Sequence, residues 1–275
     1  MAPIVLDPVV STARLPGPVR APLRSATFLS LTAGFFAAAR LHQGLVAEDE
    51  RAGVFALYQR GWFRSLLETF DVTVSLHGDP EATAGVARMV VGNHRSAIDV
   101  AVLGWLFGGS LLSRGDLSSW PFLGTVARAA GTIFVDRDDA KSGALVVRAI
   151  RERLRAGGTV SLFPEGTTFD DDRVRPFRRG SFVAAARSGC RVVPVGLAYD
   201  SSGRAIFRDR TFLAHLGRIS SAPGIGVAVR VGSPIAAAAT SSEELARQAE
   251  AAVQSLVIAA RADCAELEAR LAARR

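Results

Sequence analysis

MVVGNHRSAIDVAVLGWLF, Met89 to Phe107, holds the transition on which the fold turns. Three apolar, β-prone residues (Met89–Val91) run into a polar turn, and Ala97–Phe107 follow as an apolar helix. A strand feeding directly into a helix is the unit from which α/β sheets are assembled. Such a turn leaves His94 at a sheet edge, with Asp99 about one helical turn further on. A carboxylate there can hold one imidazole nitrogen and leave the other free as a base. The competing reading of the same residues is a capping Asn93 beside a surface histidine.

The texture repeats on both sides. Further strands are expected at Val72–Leu76, Thr132–Val135, Thr159–Phe163, Val192–Leu197 and Gly226–Val231, and helices at Ala140–Ala156 and Phe182–Ser188. The alternation predicts an α/β fold, a single domain over residues 71–235 with a central mixed β-sheet flanked by helices. Ser241 and Glu244, at capping-box spacing, open a C-terminal helix within 236–275.

Upstream of Asp71 the pattern differs. Residues 1–25 carry five prolines with Arg14, Arg20 and Arg24, and are expected to form a flexible, extended basic leader. Ala26–Ala39 is almost wholly apolar, but fourteen helical residues reach about 21 Å, short of the roughly 30 Å hydrocarbon core, so the segment should dip into a bilayer without crossing it. Val54, Tyr58, Trp62, Leu66 and Phe70 recur at helical spacing, with Gln59, Arg60, Arg64 and Glu68 facing elsewhere. This fits an interfacial helix with arginines toward headgroups, or an ordinary helix packed on a core. Residues 26–70 are therefore expected to form a membrane-associated helical hairpin.

The 275 residues contain 33 Lys and Arg against 26 Asp and Glu, a net charge of +7 that favours an anionic partner. Aromatic residues are 7% of the chain, with no alternation of aromatic and basic residues suited to single-stranded bases, so lipid is favoured and nucleic acid is not expected. Two cysteines, Cys190 and Cys264, cannot make a disulfide framework, and four scattered histidines offer no metal cluster. Neither a metal nor a bound cofactor is expected.

Two more segments end strands with reactive side chains, and a third carries a proline within a strand. Gly131-Thr-Ile-Phe-Val-Asp-Arg137 closes on a guanidinium that can present a fork to phosphate or carboxylate, or simply form a surface ion pair. In Phe163-Pro164-Glu165-Gly166-Thr167-Thr168 a tight loop can turn amides and hydroxyls, Thr167 among them, toward a ligand, while Glu165 can accept from a substrate hydroxyl; the competing reading is a simple Pro-Gly turn with an exposed glutamate. Pro194, in the apolar run Val193–Val195, suits an edge strand or a pocket wall.

Taken in order, NHRSAID, GTIFVDR, FPEGT and VPVGL resemble the four blocks of the glycerolipid acyltransferases, with the HX4D motif at His94 and Asp99, over about Val72 to Ile235. The resemblance implies transfer of a fatty acyl group from acyl-CoA or acyl carrier protein to a lysolipid hydroxyl. It makes His94 the general base and Asp99 its orienting partner, with direct attack on the thioester and no acyl-enzyme, in keeping with the lack of a G-x-S-x-G elbow. It assigns Asn93, Gly131, Arg137, Glu165, Gly166 and Thr167 to substrate binding and Pro194 to the pocket. Arg114 stands where the family usually has lysine, and Arg178 and Arg179 match basic residues that follow the third block. One departure stands out: Thr168 occupies a position where the family commonly has an arginine associated with the acceptor phosphate. Either another of Arg114, Arg173, Arg175, Arg178 and Arg179 supplies that charge, or the acceptor differs. The acceptor expected first is 1-acyl-sn-glycerol-3-phosphate, with lyso-ornithine lipid as the alternative; a non-catalytic lipid-binding protein is the rival of another class. The expected location is the cytoplasmic face of the inner membrane, monotopic or peripheral, on an anionic leaflet.

Overall fold

The computed structural model describes residues 3–119, 123–129, 131–135 and 140–273. Among these residues nine strands form one mixed sheet: β1 (Ile4–Leu6), β2 (Val72–His77), β3 (Arg88–Gly92), β4 (Ser110–Arg114), β5 (Ile133–Val135), β6 (Thr159–Leu162), β7 (Arg191–Tyr199), β8 (Ile225–Val231) and β9 (Ile235–Ala236). Their order is β1-β2-β8-β7-β3-β6-β4-β5, with β9 beside β7. From β7 through β3, β6 and β4 to β5 every pairing is parallel, so the carboxyl ends of these strands lie along one edge. In open α/β sheets that edge is where ligands bind.

Among the described residues there are eight α-helices: α1 (Gly17–Leu45), α2 (Arg51–Thr69), α3 (Ala97–Phe107), α4 (Leu123–Ala129), α5 (Ala140–Arg155), α6 (Gly180–Ser188), α7 (Phe212–Ser221) and α8 (Ser242–Ala273). Strand alternation divides the core between two faces. Val90, Val193, Val195 and Leu197 point toward α2, α3 and α7, meeting Phe63, Leu67, Val102 and Ile219. Met89, Val91, Val160 and Val192 point the other way, against Ile150 of α5, Phe182 of α6 and Val253 of α8.

The N-terminal region departs from the expected flexible leader. Ile4–Leu6 pairs antiparallel with β2, and α1 begins at Gly17, well before Ala26. Arg20 and Arg24 are buried, 6% and 1% exposed. Arg20 donates to the carbonyls of Thr12, Ala13 and Leu15 and, at 2.7 Å, to that of Ser221. Arg24 pairs with the Asp71 carboxylate and donates to Thr12 Oγ1 (2.8 Å) and the Ala222 carbonyl (2.6 Å). These carbonyls at the end of α7 have no helical donor of their own, and the two guanidinium groups satisfy them.

α2 also differs from an arginine-fringed interfacial helix. Arg60 donates to the carbonyls of Trp105 (3.0 Å) and Leu106 (3.1 Å) at the end of α3, and Gln59 is buried with its amide on the Gly109 carbonyl. That side of α2 is a helix-packing surface. α1 and α2 pack through the Trp62 indole donating to Thr32 Oγ1 (3.0 Å) and through the Phe35–Tyr58 ring contact. At about 1.5 Å per residue the 29 residues of α1 extend for about 43 Å, yet among the described residues no helix is both long and apolar enough to cross a membrane.

Removing one member of a buried ion pair costs about 3–5 kcal/mol, because the other charge is left without a partner. Arg24→Ala should accordingly lower the urea midpoint and speed proteolysis ahead of Gly17, as followed by circular dichroism and mass mapping of the cleavage sites.

Candidate active site

The β3–α3 junction builds the site. Ser96 is the N-cap of α3, its hydroxyl accepting from the Ile98 N–H, and Asp99, at the third helical position, accepts from the Ser96 N–H (2.8 Å) to complete a capping box. The same Asp99 Oδ2 also accepts from the Arg95 N–H (2.6 Å) and lies 2.9 Å from His94 Nδ1. The Tyr199 hydroxyl donates to Asp99 Oδ1. Tyr199 is fully buried, which raises its phenol well above the usual range, and the Asp99 charge adds to the shift, so the group stays protonated as a donor. Asp99 is sealed from solvent while the His94 side chain is 21% exposed.

An ionised carboxylate only accepts hydrogen bonds, so Nδ1 of His94 carries the ring proton and Nε2 keeps its lone pair. Nε2 has no protein partner among the described residues. The imidazole lies flat on Phe163, centroids 4.1 Å apart and planes within 7°. Its orientation is thus set from two sides.

His94 lines a cavity of about 850 Å³. One part of the wall comes from Phe28 of α1, Trp62 and Leu66 of α2, Ile98 of α3 and Leu216 of α7; another comes from Leu112 of β4, Val147 of α5 and Leu162 of β6. The lining is mainly aliphatic and aromatic; in addition to His94 its polar members are Ser113, Thr132, Thr167, Thr168, Arg178, Ser181, Arg210 and Thr211. An imidazole in the wall of a mainly apolar cavity is suited to a substrate with a reactive hydroxyl and a hydrocarbon tail.

Several residues expected to touch substrate have other work. Asn93 is buried, donating to the Leu197 carbonyl (2.9 Å) and accepting from the Leu197 N–H (2.8 Å), so it ties the end of β3 to β7. The Glu165 side chain is sealed. It pairs with Arg95 (2.8 Å) and accepts from the N–H groups of His94 (2.9 Å) and Arg175 (3.0 Å), leaving it inaccessible to a substrate hydroxyl. Gly131 is outside the cavity wall; it follows α4 at φ +67°, where its N–H closes the helix on the Arg128 carbonyl. Pro194 is also outside it, buried within β7. Its carbonyl accepts from Gly232 at the break between β8 and β9, so the N–H that proline lacks would fall where no ladder partner is needed. Arg179 pairs with Glu243 (3.2 Å) on the surface.

Gly166, Thr167 and Arg178 do line the cavity. Gly166 has φ +82°, and a Cβ there would lie 2.5 Å from Arg178 Nε, so the glycine lets the guanidinium settle against the loop. Arg137 and the side chain of Arg114 lie outside the described residues.

Sequence reasoning did not find Tyr199, Phe163 as a stacking partner, Arg95, Arg210 or His215. Phe163 stands directly before the Pro-Glu-Gly turn and was the most accessible of these to a sequence argument. His215 of α7 is buried, with Nε2 3.3 Å from the Ala97 N–H and 3.4 Å from Ser96 Oγ, supporting the first turn of α3 from behind. Burial, reinforced by Arg218, lowers its pKa to about 4, so it is neutral at ordinary pH.

A family model described as Acyltransferase matches residues 73–198. The lyso-ornithine lipid O-acyltransferase of Pseudomonas aeruginosa is 31% identical over 243 residues, covering 84% of this chain and 91% of that one. A 1-acyl-sn-glycerol-3-phosphate acyltransferase of Neisseria meningitidis serogroup B is 31% identical over 147 residues, 53% of this chain and 57% of that one. Among solved structures, the 1-acyl-sn-glycerophosphate acyltransferase PlsC of Thermotoga maritima superposes with a TM-score of 0.68 at 21% identity, over 87% of this chain and 98% of that chain. The mixed sheet flanked by helices is the fold the two share.

Two outcomes are expected. Glu165→Gln leaves the Arg95 guanidinium buried without a counter-charge and should lower the unfolding free energy by about 3 kcal/mol, measured in urea at pH 7. His215 refuses a proton that the unfolded chain accepts between pH 6.5 and about 4, so the stability it contributes is whole above pH 6.5 and is lost as pH falls. The loss amounts to ~3 kcal/mol. Replacement by Gln should remove this component, so that the parent's stability relative to His215→Gln falls by ~3 kcal/mol between pH 7 and pH 4.

Proposed function

The chain belongs to the acyltransferase family that includes the lyso-ornithine lipid and 1-acyl-sn-glycerol-3-phosphate acyltransferases, and we propose that it esterifies a lysolipid hydroxyl with His94 as general base and Asp99 as its positioning partner. The observation carrying this reading is the His94 Nδ1–Asp99 Oδ2 contact of 2.9 Å in the wall of the mainly apolar cavity. The acyl donor is a thioester, acyl-CoA or acyl carrier protein. The acceptor hydroxyl gives its proton to His94 Nε2 as its oxygen attacks the thioester carbonyl. The tetrahedral adduct then expels the thiolate, which takes the proton back from the imidazolium. One C–O bond forms, one C–S bond breaks, and the histidine is regenerated without a covalent enzyme intermediate. Asp99 stabilises the imidazolium between these steps. A positioned base typically contributes about 10²- to 10⁴-fold, and each methylene of substrate taken from water into the apolar wall adds about 0.8 kcal/mol of binding.

Of the two acceptors, lyso-ornithine lipid is favoured by two observations. Thr168 offers a neutral hydroxyl where a phosphate-associated arginine is common, and the relative matched over 91% of its length bears that activity in its name. 1-Acyl-sn-glycerol-3-phosphate is the second reading.

The N-terminal helices fit a peripheral or monotopic attachment at the cytoplasmic face of the inner membrane. Leu41 and Leu45 near the end of α1 and Leu57 of α2 are 70%, 79% and 67% exposed. Apolar side chains there can enter the headgroup–acyl boundary, with nearby basic residues adding about 1 kcal/mol each against anionic lipid.

His94→Ala should reduce turnover with an acyl thioester and lysolipid by about 10³-fold or more while leaving the circular dichroism spectrum unchanged. Near-parental turnover would remove the base assignment. Offering lysophosphatidate and lyso-ornithine lipid side by side to the parent chain decides the acceptor, the expected preference being the second.

A further inference from the structure

The arginines around the mouth of the cavity fall into two groups. Arg95 is paired with Glu165, Arg175 with Asp171 and the face of Phe169, Arg179 with Glu243, Arg208 with Asp170 and Arg218 with Asp209. Arg178 and Arg210 are different. Both line the cavity itself, both are exposed, and neither has an acidic partner among the described residues. They arrive from separate segments: Arg178 just before α6, its guanidinium against Gly166, and Arg210 just before α7, beside the N-cap Thr211.

Arg173 and Arg204 also lack a carboxylate among the described residues, but neither lines the cavity, whereas Arg178 and Arg210 stand in its wall together with the candidate base. Two guanidinium groups in one cavity wall offer charge-assisted hydrogen bonds to an oxyanion that enters it. We propose that Arg178 and Arg210 form an anion clamp for the acceptor headgroup, its carboxylate or phosphate. The clamp is a specificity device. It holds a lysolipid by its anionic end so that the free hydroxyl lies at His94, and it rests on the lysolipid reading above. A carboxylate and a phosphate offer the same paired oxygens to a guanidinium fork, so both acceptors fit it. The phosphates of an acyl-CoA donor are the other source of such oxygens.

The test uses the full chain in mixed micelles. KM and kcat are measured for lysophosphatidate, lyso-ornithine lipid, uncharged monoacylglycerol and acyl-CoA with the parent, Arg178→Gln, Arg210→Gln and Arg208→Gln. Losing one charge-assisted contact should raise KM for whichever anionic lysolipids are used by about tenfold or more, with kcat changed less than about threefold. KM for acyl-CoA and monoacylglycerol should stay constant, and Arg208→Gln, whose partner is Asp170, should behave as the parent. Added salt should raise the acceptor KM of the parent and leave that of Arg178→Gln/Arg210→Gln unaffected.

A second arm needs no turnover. In the His94→Ala chain, lysolipid binding is read from tryptophan emission, to which Trp62 in the cavity wall contributes, and adding Arg210→Gln should weaken it by the same factor. An acceptor KM unchanged within about twofold in Arg210→Gln, or a rise confined to acyl-CoA, overturns the clamp. If His94→Ala keeps its turnover, the base assignment fails while the binding arm still decides the clamp.

Discussion

A single carboxylate governs the centre of this molecule. Asp99 closes the first turn of α3 by accepting from the Ser96 N–H, and the same oxygen holds His94. Helix capping and imidazole positioning are therefore one arrangement. A change that loosens the cap also releases the ring, and the free energy that forms the helix keeps the histidine in one tautomer. Tyr199 reaches the second oxygen from β7, so the carboxylate is satisfied on both sides and excluded from water. His215 holds the opposite side of the turn without carrying charge at neutral pH.

The third sequence block contributes differently from its first appearance. Glu165 points inward, where it joins Arg95, the His94 N–H and the Arg175 N–H. A buried ion pair adds little net stability, since desolvation offsets much of the attraction, but it penalises any arrangement that separates its members. Here the members belong to the loop that carries His94 and the loop that carries Phe163. The pair thereby fixes the distance between the imidazole and the ring on which it stacks.

How far the sequence could be read follows from where each signal resides. Ala97–Phe107 has the expected boundaries because Ser96 and Asp99 encode its start within four residues. The six expected strands all occur, since β-prone apolar runs between turns are local signals. Arg20, Arg24 and Glu165 were read as outward-facing because their partners are remote: Ser221 for Arg20, Asp71 for Arg24 and Arg95 for Glu165. Charged side chains are mostly exposed, and only tertiary structure reveals the exceptions. Three-residue β1 and two-residue β9 are too short to carry a period, and β4 (SLLSR) is not among the expected strands. Arg210 is in no block at all, so only its place in the cavity wall distinguishes it.

The cavity is also a feature of the core. Phe63, Leu66, Phe70, Ile98, Leu111 and Ile219 belong to the packed cluster between the sheet and α2, α3 and α7, and each also faces the cavity. Side chains bordering empty space lose the dispersion contacts that close packing would supply, so a domain with this cavity forgoes stability that a filled core would have. An acyl chain restores those contacts and is held by the same forces that assemble the domain. That explains why the wall draws on α1 and α2 as well as on the sheet. On the proposed reading, α1, fastened at one end by Arg20 and Arg24 and exposing leucines at the other, can carry the cavity to a lipid surface while His94 stays fixed to the end of β3. In this arrangement the hydrocarbon tail supplies affinity without selecting among headgroups. On the proposed reading, discrimination then falls to Arg178 and Arg210 in the wall, where the geometry of an anion, more than the length of a chain, distinguishes one lysolipid from another.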